Sequence, residues 1–171
     1  MAALDALPED AFVAATGPWF EGAPRFLHRL AAARPFGDVD RLFDLALEIA
    51  FAMPEDEQVE LINAHPRLGA PPASVSEASF REQGYDRETT DAIAELERLN
   101  QEYEARFGFR FCIFVAGRPR SALVPVLRAA LAADRDAEIR RALHDVVAIA
   151  LDRFERFANR DAVSRPAEIA R

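Results

Sequence analysis

Residues 136–159 read DAEIRRALHDVVAIALDRFERFAN, and this stretch decides the fold class. Ile139, Leu143, Val146, Ala150, Phe154 and Phe157 follow one another at steps of three and four. That spacing lays apolar side chains along one stripe of a helix. Arg153 falls at the edge of the stripe, where a guanidinium on an aliphatic stem reaches solvent or faces a site.

Working outward, residues 120–133 read as the preceding helix. Residues 109–115 alternate aromatic and branched side chains, the pattern of a strand, yet the chain offers no obvious sheet partner. They are read as a buried extended connection. Before them a long helix covers 86–107, with Ile93, Leu96, Tyr103 and Phe107 on its inner face. Asn100 falls among these, and a buried amide there needs hydrogen-bond partners; Asn100 and Tyr103 are read as internal struts. Towards the N-terminus, Pro8-Glu9-Asp10 opens a helix that Gly17-Pro18 ends. A second starts at Pro24 and stops before Pro35. Asp38 or Asp40 caps a third, in which Leu42, Phe43, Ala46, Leu47, Ile49 and Ala50 form a wide apolar face. Pro54 starts a fourth that runs to Ala64. Residues 65–75 carry Pro66, Gly69, Pro71 and Pro72 and read as an ordered loop. Ser74-Val-Ser-Glu77 matches a capping box for a short helix that Gly84 closes. The expectation is an all-α, single-domain helical bundle over 1–171 with one buried extended connection. Its core covers about 8–160 and its C-terminal tail, 161–171, is mobile.

The 171 residues carry 29 acidic groups and 21 basic ones, a net charge of −8. A basic stripe for nucleic acid is absent, so no nucleic-acid partner is expected. All the basic residues are arginine. Without a lysine amine, Schiff-base chemistry and a phosphate-loop lysine are excluded. Cys112 is the only cysteine, so no intrachain disulfide can form, and it is read as packing. His28, His65 and His144 stand in no metal-ligand spacing, and no metal site is expected; His28 and His144 are given no functional role. No secretory leader is read, and the apolar run at 111–116 is far too short to span a bilayer. No membrane partner and a cytoplasmic location are therefore expected.

One polar constellation stands out. Ser79, Glu82 and Gln83 are spaced to share a helix face, and His65-Pro66 precedes Ser79 by 14 residues. A hydroxyl, a carboxylate, an amide and an imidazole can hold and protonate a small, hydrogen-bond-rich substrate. Taken singly, each has a plainer reading. His65 can end a helix with its ring against a carbonyl, and Ser79 with Glu82 also fits a capping box.

These residues carry a family resemblance. Phe20-Glu-Gly-Ala-Pro24, His65-Pro66-Arg67-Leu68-Gly69, Ser79-Phe-Arg-Glu82-Gln83, Leu99-Asn100-x-x-Tyr103 and Phe107-Gly108-Phe109-Arg110-Phe111 occur in that order. In this the chain resembles the 2-oxo-4-hydroxy-4-carboxy-5-ureidoimidazoline (OHCU) decarboxylases of urate breakdown. The resemblance implies an all-α homodimer that needs no cofactor and converts the anionic ureidoimidazoline to (S)-allantoin and CO2. Carried over by position, His65 and Glu82 are the catalytic residues it implies. Pro66, Ser79, Gln83, Phe109, Ile113, Val115, Ala116, Gly117 and Arg153 are the substrate-binding ones. Arg110, Ala130, Ala133, Ala148 and Leu151 depart from the family's usual residues. The readings from other classes are a non-catalytic helical interaction module and a hydrolase of a related ureide.

Overall fold

Residues 136–159 fold within one helix of 30 residues, Arg135–Ser164, in the computed structural model, which describes residues 1–69 and 90–164. In chain order the helices are α1 (Ala2–Asp5), α2 (Glu9–Thr16), α3 (Pro24–Ala32), α4 (Val39–Ala52), α5 (Glu55–Ala64), α6 (Thr90–Phe107), α7 (Arg120–Ala130) and α8 (Arg135–Ser164). A 3-10 turn, Gly17–Trp19, follows α2. No strand occurs among the described residues, and the all-α expectation holds.

Helix α8 packs against α4, α5 and the 3-10 turn, while α6 packs against α7. Leu143, Val146 and Ala150 are fully buried, and Ile139 nearly so. Burying a branched aliphatic side chain contributes about 1.5–3 kcal/mol, so this stripe anchors the helix. Phe154 continues it, meeting Trp19 edge-on at 5.2 Å and Phe43 at 5.8 Å. Phe157 does not: it is 54% exposed. The periodicity of α8 runs one turn beyond the surface that α4 and the 3-10 turn provide. Ile93 is a second correction, 38% exposed in the first turn of α6. Leu96, Leu99, Asn100, Tyr103 and Phe107 form the buried face of that helix.

Local signals set several boundaries as read. Asp38 caps α4 by accepting from the Arg41 N–H at 2.7 Å. Pro54 and three acids, Glu55, Asp56 and Glu57, open α5. That helix stops at His65, at φ −74° and ψ 139°, because a residue before proline is pushed out of the helical region. The short α1 was not anticipated. Its Asp5 carboxylate accepts the backbone N–H groups of Phe36 and Gly37, at 2.9 and 3.1 Å.

Residues 109–115 form the expected extended connection, with Phe109, Phe111, Cys112 and Val115 buried. Buried backbone polar groups need partners, and side chains supply them where a sheet would otherwise. The Arg110 N–H donates to Asn63 Oδ1 at 2.8 Å, and Arg141 Nη1 donates to the Cys112 carbonyl at 2.8 Å. The Arg141 guanidinium also lies over the Phe111 ring, 4.6 Å from its centre. Tyr103 donates its hydroxyl proton to Glu138 at 2.8 Å, tying α6 to α8. Asn100 Nδ2 donates to the Leu68 carbonyl at 2.8 Å, holding the loop that follows α5. Both are the struts expected of them.

Four expectations lie outside the described residues: the capping box at Ser74-Val-Ser-Glu77, the helix bearing Ser79, Glu82 and Gln83, its end at Gly84, and the start of the next helix at 86. Of the expected tail, the described part, through Ser164, belongs to α8.

Candidate active site

Three segments wall a small cleft, open to solvent, with a cavity volume of about 40 Å³. His65, Pro66 and Leu68 form one wall, at the end of α5. The extended connection from Phe111 to its turn at Ala116 and Gly117 forms the second. Ile149, Asp152, Arg153 and Arg156 of α8 form the third. Positions 149, 152, 153 and 156 share one helix face by their three- and four-residue steps.

The structure thus brings His65, Pro66, Ile113, Val115, Ala116, Gly117 and Arg153 into one cleft. Phe109 is not among its lining residues. It is 2% exposed and packs against Tyr103 and Phe107. Ser79, Glu82 and Gln83 lie outside the described residues.

His65 is 3% exposed. Its Nδ1 lies 3.4 Å from the Leu61 carbonyl, a long contact, while Nε2 has no partner among the described residues. Burial, joined by the positive charge of Arg153, pushes the imidazole down to about 4, against smaller opposing effects of Glu21 and the Leu61 carbonyl. The ring is therefore uncharged at neutral pH. With its proton assigned to Nδ1, facing Leu61, the Nε2 lone pair is free to accept one.

Arg153 does not reach to solvent from the core edge; it is 6% exposed. Nη1 donates to the carbonyls of Pro18 and Trp19, at 3.1 and 3.3 Å, and Nη2 to Glu21 at 2.8 Å. Glu21 itself sits at φ 52°, a left-handed conformation that costs a non-glycine residue free energy. Beside them Arg156 Nε donates to Asp152 at 2.7 Å. Reading the sequence assigned no role to Glu21, Asp152 or Arg156. For the last two, the shared face with Arg153 was an available signal; for Glu21, only its place in the segment 20–24 was.

Ala116 and Gly117 both have positive φ, 51° and 71°, and the Arg118 N–H returns to the Val115 carbonyl at 3.0 Å. That is the pattern of a type I′ turn. Arg118 also donates through its side chain to the Phe114 and Val115 carbonyls, so the turn that closes the second wall is held from both ends. Among the described residues no group of three His, Cys, Asp or Glu side chains is placed to hold a metal ion.

Fold and cleft together define a small all-α protein whose uncharged, buried histidine and oriented arginine face a pocket for a compact ligand. Residues 5–155 match the family model described as OHCU decarboxylase, and the chain belongs to that family. It is similar to the 2-oxo-4-hydroxy-4-carboxy-5-ureidoimidazoline decarboxylase of Haloferax volcanii, 31% identical over 91% of this chain and 95% of that protein. It is also similar to the uric acid degradation bifunctional protein PucL of Bacillus subtilis, 34% identical over 78% of this chain. The chain spans only 28% of PucL and 31% of the bifunctional protein from Bacillus sp.. A crystal structure of an OHCU decarboxylase in the presence of (S)-allantoin has the same fold, with a TM-score of 0.67 at 21% identity over 80% of this chain and 92% of that one.

Proposed function

We propose that this chain catalyses the cofactor-independent decarboxylation of 2-oxo-4-hydroxy-4-carboxy-5-ureidoimidazoline to (S)-allantoin and CO2, as a step of urate breakdown. The family match supports the reaction class. The observation that carries the reading is the uncharged His65, whose Nε2 has no partner among the described residues, sharing a cleft with Arg153.

Losing CO2 leaves an electron pair on carbon. In this substrate the carboxylated carbon adjoins a ring C=N bond, so the pair of the breaking bond is drawn into the ring. The protein needs to bind, orient and move protons. The C=N pair passes to the ring nitrogen, which takes up one proton. His65 Nε2 removes the proton of the neighbouring hydroxyl as the C=O forms, and a proton is delivered to the adjacent ring carbon on one face, which sets the hand of the product. Arg153, held by Glu21 and two carbonyls, presents positive charge to the substrate carboxylate. Pro66 and the segment Ile113, Val115, Ala116 and Gly117 shape the pocket. Ser79, Glu82 and Gln83 take the ring, hydroxyl and ureido groups in this reading, Glu82 as the second catalytic residue. A cytoplasmic homodimer accompanies the proposal. Cys112 is the single cysteine of the sequence, which suits a reducing compartment, and the exposed Phe157 offers apolar surface to a partner copy.

The test supplies the freshly generated intermediate and follows ultraviolet absorbance and circular dichroism with and without protein. Faster CO2 release with allantoin of one hand is expected. Decay at the spontaneous rate to racemate refutes the proposal. Light scattering on an eluting peak tests the dimer.

A further inference from the structure

We propose that Arg110 is a positioning residue for His65, fixing the histidine-bearing end of α5 against the backbone wall of the cleft; this rests on the decarboxylase reading above. Three hydrogen bonds from this one residue carry the inference. Its backbone N–H donates to Asn63 Oδ1 at 2.8 Å. Its Nη1 donates to two carbonyls, that of Asn63 at 2.7 Å and that of His65 itself at 3.1 Å.

The last carbonyls of a helix have no partner within it. A guanidinium there satisfies them and matches the negative end of the helix dipole. At the end of α5 those carbonyls belong to the turn that carries His65, because Pro66 forces the chain out of the helix at that point. Arg110 in turn belongs to the extended connection whose following residues, Phe111 to Gly117, line the opposite wall. The two walls are thus joined at their base by one half-buried side chain. Among the described residues His65 has only a long contact of 3.4 Å to orient its ring, so the placement of its backbone bears directly on where Nε2 points. Misplacing a reacting group by about 1 Å can cost on the order of 10²-fold in rate. Arg110 touches no reacting atom and acts only through His65.

Arg110→Met keeps the backbone N–H and the aliphatic stem and removes the guanidinium. Arg110→Lys keeps the charge but not the forked geometry, and serves as the milder variant if the first does not fold. The expected result is a fall in kcat of on the order of tenfold for Arg110→Met, with KM within about twofold, a loss of product handedness, and partial recovery in Arg110→Lys. A folded variant that keeps wild-type kcat and handedness overturns the proposal. If the wild-type chain leaves the intermediate's decay unchanged, it is the decarboxylase reading that fails. The positioning role is then judged without substrate, from the NMR titration of the His65 ring. A midpoint rising from about 4 towards the ordinary value in Arg110→Met, as water reaches the ring, supports it; an unchanged midpoint overturns it.

Discussion

Replacing His65 by asparagine tests both halves of the site argument, because the group that serves the reaction also costs stability in acid. The folded imidazole titrates at about 4 and the unfolded one at about 6.5. Between these values the unfolded chain binds the proton and the folded chain does not. Stability due to this group is therefore complete above pH 6.5 and lost as pH falls through 4. Integrating that difference, wild type loses about 2 kcal/mol between pH 7 and pH 5 and about 3 kcal/mol by pH 4 from His65 alone. His65→Asn lacks this component while keeping every carboxylate. Urea denaturation of both proteins at pH 7, 6 and 5 isolates it as a difference of differences. The variant should show the shallower pH dependence by about 2 kcal/mol. Its turnover at pH 7 should fall by about 10²–10⁴-fold, the usual share of an acid–base group. Equal pH slopes in the two proteins would refute the buried, uncharged imidazole. Wild-type rate and product hand in a folded His65→Asn would refute its catalytic role.

Glu21→Gln removes the anion that holds Arg153 and that opposes the depression of His65. The acid limb of the kcat/KM profile should move to lower pH and KM should rise; a limb moving to higher pH contradicts the geometry. Tyr103→Phe deletes the bond to the 4%-exposed Glu138 and should cost about 1–3 kcal/mol of stability, measured by urea denaturation. Its kcat should stay near wild type, since Tyr103 does not line the cleft. Dialysis against a strong chelator should leave turnover intact. A loss that one added metal restores would show that the reaction requires a metal.

What the sequence determined by itself was local. The stripe of α8, the Asp38 cap, the start of α5 behind Pro54 and its end before Pro66 all depend on residues within a turn or two of one another. There, steric preference and helical period act without the rest of the chain. The run at 109–115 was also legible, because its strand-like alternation had no partner to pair with. Tertiary structure decided where each helical stripe ends, leaving Phe157 and Ile93 outside the core. It also decided which side chain of the extended run faces the cleft, Phe111 rather than Phe109. Glu21 meets Arg153 across 132 positions and Arg110 meets His65 across 45. Periodicity tells which face of an element is buried, but not what lies across from it. Pairings of that separation are set by how the helices dock, and a charged side chain buried at such a junction looks, in sequence, like any solvated one.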